Sequence, residues 1–467
     1  MNLDPRALFR RIQNAVEGIR SSYWFFPVQM AVFSGVIALA SVELDRRTSA
    51  AWIEQTAWAT QFGAEGARSV LSTIAGSMMT VTGVVFSINV VALTLASSQF
   101  GPRLLRSFLR DRKSQLALGT FLSTFFYSLL VLRSVAASER VPVVATSGAV
   151  LLAAISLFVL IFYIHHAATS IQASNVVAAV ANEIRERIPK TFAEGEDDRA
   201  DASLRALGSE GSGRPICADR EGYVRIVGLE ELVGIAEEND LLIRLDVAPG
   251  TFVPIGSTLA RATSTSGGAP APAPAQTDEL DGALEERIRE CLLLGDSRTP
   301  VQDLGFLTSQ LSEMAVRALS PGINDPTTAI GCIHRLGGVL AQLEGRKISS
   351  HHHFDAEGVL RVVSAEDGFE EILAGAFDPI RRYGAHDASV VEALLGAVAA
   401  GAENRRDERR RRALEAHAHA FRAAFESARS MHSARDAAIV EAAFERTERA
   451  LAGAGTRSAC GPDLRSV

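Results

Sequence analysis

VLSTIAGSMMTVTGVVFSINVVALTLASS, residues 70–98, decides how the rest of the chain is read. It holds no charged residue. As a helix it is roughly 40 Å long at 1.5 Å per residue, whereas a bilayer core needs only about 20 residues. Such a helix crosses with tilt or protrudes. It is also polar for a membrane span. Thr73, Thr80, Ser87 and Thr94 recur at heptad spacing, and Ser77 and Ser98, four residues beyond Thr73 and Thr94, extend the same face. Val84 and Val91 interrupt that face, Gly76 and Gly83 form a smooth line beside it, and Asn89 is the one amide. Two readings stay open. Small residues let helices approach closely, with hydroxyls bonding across or back onto their own backbone. Alternatively, the face lines a water-filled path in an oligomer, as pores do with hydroxyls and apolar constrictions.

Three further apolar runs flank it: about 23–42, 116–135 and 143–164. Tyr23-Trp24-Phe25-Phe26 opens the first as an interfacial belt, and Pro27 is tolerated in a first helical turn. Orientation follows from the basic residues. Arg103, Arg106, Arg110, Arg112 and Lys113 stand against Asp111 alone, which places residues 102–113 in the cytoplasm. The loop 43–69 is of mixed charge, with Trp52 and Trp58 read as an outer interfacial helix. Arg133 near the outer end of the third span either snorkels or brings positive charge to an outer mouth. His165 and His166 at the inner end of the fourth span point to different faces, so one metal bound by both is not expected. They pack at the interface or respond to pH. Residues 1–22, with Arg6, Arg10, Arg11 and Arg20, read as an amphipathic cytoplasmic helix. The first apolar run lacks a small-residue cleavage site at its end and reads as a retained anchor.

The 467 residues suffice for two or three domains. The apolar residues concentrate in the first 170 positions, and most Glu, Asp and Arg follow. A net charge of −7 argues against general nucleic-acid binding. Cys217, Cys291, Cys332 and Cys460 form no CxxC pair, so they read as reduced thiols and not as a zinc site.

MTVTGVVFSINVVALTLASSQFGPRLLRSFLRDR (79–112) and ALSPGINDPTTAI (318–330) resemble one family, the bacterial integral-membrane proteins called domain of unknown function 2254. The resemblance covers most of residues 20–440. It implies a four-span membrane region followed by a cytoplasmic region, and it carries no activity and no catalytic residues.

In the second half, 167–188 reads as a helix contiguous with the fourth span and ended by Pro189. Residues 194–213 are an acidic, then Gly/Ser-rich linker. Strands are expected at Tyr223–Val227, Leu241–Val247 and Thr251–Ile255, with a helix at Leu229–Glu238. The run PGTFVPIGSTLARA is similar to the hairpin of biotinyl-carrier folds but has no Lys to carry a prosthetic group, so a structural β module stands beside a ligand sensor. Residues 264–280 are a Pro/Ala linker. From Leu280 to Leu451 the pattern is mostly helical. Thr299 is read as an N-cap with Pro300 at the first position, and Asp325-Pro326 as a second such start. The turn between them, SPGIND, offers oxygens from Ser320, Asn324, Asp325, Thr327 and Thr328 for a ligand or ion, or it is plain capping; one carboxylate is too few for a calcium loop. His351-His352-His353 is read as a loop with adventitious metal affinity, His334 as a neighbour of Asp325 without a nucleophile, and RRDERRRR (405–412) as a solvated helix face.

No P-loop, Rossmann fingerprint, HExxH or GxSxG occurs, so no enzyme and no cofactor is expected. The fold class read from the sequence is a four-helix transmembrane domain followed by a cytoplasmic α+β region with a small β module and a helical C-terminal domain. The segments are 1–22, the membrane domain 23–165, a helix 166–190, a linker 191–214, the β module 215–263, a linker 264–279, the helical domain 280–452 and a tail 453–467. The expected function is a homo-oligomeric channel of the bacterial inner membrane with both termini cytoplasmic. Its pore is lined by Thr73, Ser77, Thr80, Ser87, Thr94 and Ser98, with Arg103, Arg106 and Arg110 at the inner mouth. Its partners are the bilayer, other copies of itself and ions. The alternative is a membrane-anchored scaffold or sensor; a transporter ranks third, since no inverted repeat or intramembrane carboxylate is seen.

Overall fold

The computed structural model describes residues 23–47, 63–101, 111–137, 142–191, 213–264, 282–343, 346, 352–365, 368–402 and 408–453. The expectations for the N-terminal helix, Trp52, Trp58, Arg103, Arg106, Arg110, His351, the linkers and the tail fall outside them. The chain divides into two units between Val176 and Val177.

The first unit is built from α1 (Phe25–Arg47), α2 (Ala64–Phe100), α3 (Arg112–Ala137) and α4 (Val143–Ser170). All four are long and apolar enough to cross a membrane. The second helix has 37 residues, longer than the uncharged stretch alone. The third, not the second, is the packing centre: the apolar window of α3 is 56% buried and that of α2 only 6%. The reason lies in the side chains of α3. At one end Ala117, Leu118 and Phe121 pack with Val85 and Tyr163. At the other, Tyr127, Val131 and Val135 pack with Ala38, Leu71, Ala145 and Ala149. Between these apolar layers lies a buried hydroxyl layer. Ser34 donates to the Ser123 carbonyl at 2.9 Å, and the Thr124 and Ser156 hydroxyls are 2.9 Å apart. Tyr127 Oη donates to the Ala145 carbonyl at 3.1 Å and meets Ser41 at 3.0 Å.

The continuous helix expected across 164–188 is broken. Thr169 Oγ1 bonds back to the carbonyls of His165 and His166, and Asn175 Nδ2 takes the Thr169 carbonyl at 2.7 Å. Those side chains cap one helix and α5 (Ala173–Thr191) starts afresh. Pro189 lies in its last turn and does not end it.

The second unit holds β1 (Arg214–Cys217), β2 (Gly222–Val227), α6 (Leu229–Glu238), β3 (Leu241–Leu245), β4 (Phe252–Val253), β5 (Thr258–Ser264), α7 (Gly282–Glu290) and β6 (Leu292–Gly295). Then follow α8 (Leu304–Ala318), α9 (Pro326–Leu343), β7 (His352–Phe354), β8 (Leu360–Val363), α10 (Phe369–Gly384), α11 (Ala388–Gly401), α12 (Glu408–Ser427) and α13 (Ala434–Gly453). One sheet runs β1-β5-β3-β8-β7 and a smaller one β4-β2-β6. Three of those strands, β6, β7 and β8, come from the stretch read as helical. Each has only three or four residues, too short for alternation to register in the sequence. His352 and His353 therefore sit in a strand, not a loop. The helix expected to start at Thr299-Pro300 starts at Leu304 instead. Asp303 is its N-cap, accepting from the Phe306 amide at 2.7 Å while Arg298 clasps the same carboxylate at 2.8 Å through both Nε and Nη2. The Ala248-Pro249-Gly250 turn packs on this cap; Gly250 has φ +92, and a Cβ there would strike the Asp303 carboxylate. Helix α8 is buried on most of its circumference.

Candidate functional site

The candidate site is the face of α2. Leu71, Ala75, Val85 and Ala96 turn inward, and Asn89 Nδ2 donates to Tyr23 Oη at 2.8 Å. With that inner face fixed, helical geometry sends the hydroxyl face the other way. Thr73, Ser77, Thr80, Ser87, Thr94 and Ser98 are all exposed in the single chain. A Cβ placed at Gly76 or Gly83 meets nothing within 4 Å. Val84 and Val91 interrupt the face and are 54% and 67% exposed.

Five of these six hydroxyls donate to the helix itself. Thr73, Thr80, Ser87 and Thr94 donate to the carbonyls of Ser69, Gly76, Gly83 and Val90 at 2.8, 3.1, 2.9 and 2.9 Å, and Ser98 to Leu95 at 2.9 Å. A hydroxyl that donates to its own helix keeps its oxygen lone pairs as acceptors on the exposed side.

Two other polar clusters close the ends of the first unit. Asp45 at the end of α1 accepts from the amides of Val144 and Ala145, both at 2.9 Å, and so caps α4. Asp111 caps α3 through Lys113 and Ser114 and sits 2.7 Å from His166 Nε2. Burial pushes the Asp111 carboxyl up, but the bonds from Ser114 and His166 outweigh it and hold it below the usual carboxylate range. His166 also stacks on Phe162. The two histidines do part to different environments: His165 is exposed and His166 is paired. Arg133 is exposed on α3. The sequence reading missed both caps and the hydroxyl layer of α1, α3 and α4. The repeated hydroxyls Ser123, Thr124 and Ser128 in the third run were the available signal.

The SPGIND turn gathers Ser320, Asn324, Asp325 and Thr328, and the bonds of Ser320, Asp325 and Thr328 stay within the turn and the helix ends that flank it. Ser320 Oγ donates to the Arg317 carbonyl at 2.7 Å, the Asp325 amide to Ala318 at 2.8 Å, and the Asp325 carboxylate accepts from the Thr328 amide and hydroxyl. Those bonds from Thr328 draw the Asp325 carboxyl below its ordinary value. Asn324 has φ +50, which Asn tolerates. Thr327 and His334 are exposed. Among the described residues no group of three or more His, Cys, Asp or Glu is placed to hold a metal ion.

The family model described as "Predicted membrane protein (DUF2254)" matches residues 20–400. The chain belongs to this family. Two uncharacterised relatives of this DUF2254 protein, one from Mycobacterium bovis and one from Mycobacterium tuberculosis, are each 32% identical to it over 354 residues. The alignment covers 75% of this chain and 66% of each relative, slightly under two thirds of their length. No solved structure matches the DUF2254 chain.

Proposed function

We propose that this DUF2254 protein is a homo-oligomeric channel of the bacterial inner membrane, with copies of α2 meeting around a wet axis. The observation that carries the reading is the exposure of the whole hydroxyl and glycine face of α2 while α3 supplies the protomer's core. A polar, smooth helix face left exposed by the described residues of its own unit is a surface for other copies, and hydroxyls are suitable pore lining. Both termini lie in the cytoplasm, Arg103, Arg106 and Arg110 ring the inner mouth, and the second unit assembles or gates the oligomer. Outward oxygen lone pairs favour cations along the span, whereas the arginines favour anions at the inner end.

The test is ion flux through purified protein in liposomes. Wild type conducts, and Thr80→Leu with Ser87→Leu abolishes or alters the flux while assembly survives. The reversal potential under a salt gradient gives the sign of the permeant ion. Unchanged flux in the double variant refutes this lining. A second reading, a membrane-anchored scaffold or sensor, is favoured by the back-bonded hydroxyls, since a hydroxyl satisfied by its own helix packs dry against a neighbour. Absence of flux from assembled wild type selects that reading.

A further inference from the structure

The five-stranded sheet carries a row of side chains that neither its core nor a pore uses. Pro215 of β1 is in register with Arg261 of β5, Arg261 with Arg244 of β3, Arg244 with Val363 of β8, and Val363 with His352 of β7. Residues in register point to one side of a sheet, and neighbours along each strand to the other. Ile216, Ala262, Ile243 and Val362 alternate with the row and belong to the apolar core that includes α6. The row therefore faces away from that core.

On this second face Arg244 and Arg261 are directly opposite each other. Cβ atoms of such pairs are about 5 Å apart, and like charges there destabilise the sheet. Asp246 compensates in part, lying 2.9 Å from Arg261 Nε. Arg361, on the same face, is fully engaged with Asp355 at 2.7 Å and Asp240 at 2.8 Å. Among the described residues no ion pair is made by Arg244. Both Arg244 and Arg261 are half-buried, so their charges are less screened than those of fully exposed arginines. Asp246 answers the Arg261 charge and Asp355 and Asp240 answer Arg361, so Arg244 is the arginine of this face whose charge no carboxylate among the described residues meets, and planar guanidinium forks match oxyanions bidentately.

We propose that Arg244 and Arg261 form a binding site for a phosphoryl group, carried either by a free phosphorylated solute or by a lipid headgroup. The site is independent of conduction by α2. It turns an unfavourable cross-strand pair into a recognition element on the second unit.

The test uses the full chain in phosphatidylcholine nanodiscs, titrated calorimetrically with inorganic pyrophosphate at low salt. Wild type binds saturably, and Arg244→Gln or Arg261→Gln binds about tenfold more weakly or worse. Arg382→Gln, an exposed arginine on α10, binds as wild type does. If Arg244→Gln fails to fold, Arg244→Lys keeps the charge but gives up the fork, and should weaken binding severalfold. Nanodiscs containing phosphatidic acid separate the two sources. Weaker apparent binding of pyrophosphate there assigns the site to a headgroup; unchanged binding assigns it to a free solute. No saturable binding by wild type, or equal binding by wild type and the Arg244 and Arg261 variants, overturns the proposal.

Discussion

Asp45 shows how one carboxylate ties two apolar helices together. It leaves α1 at its last turn and satisfies two of the amides that the start of α4 cannot pair internally. Asp45→Ala should cost about 1 kcal/mol, the usual loss for a removed cap, read as a lower melting temperature of the purified protein. Asp111 does the same for α3 and adds a pH dependence. Its carboxyl is held below the ordinary value, chiefly by Ser114 and His166 acting against burial. A carboxyl depressed in the folded state contributes stability above its unfolded pKa of about 3.9 and loses that contribution as pH falls through its folded pKa. Wild type should therefore lose more stability than Asp111→Asn when acidified below about pH 4. Equal acid sensitivity of the two would show that the carboxylate is not held this way.

At the scale of an element, glycines separate the helix faces that pack from the outward face of α2. A Cβ at Gly148 of α4 would lie 2.6 Å from Tyr127 Oη, and one at Gly119 of α3 would lie 2.5 Å from Met30 Sδ. Gly148→Ala should destabilise the protomer by roughly 1–3 kcal/mol through overpacking, together with loosening of the Tyr127 bonds to Ser41 and Ala145. A Cβ at Gly83 meets nothing within 4 Å among the described residues, so Gly83→Leu extends a side chain outward from α2. It should leave the thermal stability of a monomeric form unchanged while lowering the oligomer mass measured by native mass spectrometry. A Gly83→Leu oligomer of wild-type mass would remove α2 from the interface. The hydroxyl heptad of α2 was legible in the sequence because spacing alone sets a helix face. The central role of α3 was not, because it depends on which neighbours the other helices bring to it.

For the whole molecule, the break at Ile171-Gln172 matters most. Val177, Val180, Ala181, Ile184 and Ile188 of α5 are buried, and Arg187 Nη1 donates to the Pro300 carbonyl at 2.7 Å. The second unit thus has its own core and its own N-terminal helix. A fragment of residues 172–453 should be soluble and melt in one cooperative transition followed by circular dichroism. The same fragment begun after Thr191 should melt lower or not fold. Aggregation of the longer fragment would show that the unit depends on the apolar helices for its stability.

The sequence by itself determined the four apolar helices, the family, the start of α9 at Asp325-Pro326 and the helix Leu229–Glu238. Each is a local matter, fixed by hydropathy over one span, by a cap next to its helix, or by a motif read in order. The tertiary structure alone decided that α3 is the packing centre, that β6, β7 and β8 complete two sheets, that Asp303 and not Thr299 starts α8, and that Arg244 faces Arg261. Those outcomes depend on residues far apart in the chain. Short strands and distant caps acquire their partners only when the backbone folds back on itself, and no periodicity in one segment encodes which segment will lie beside it.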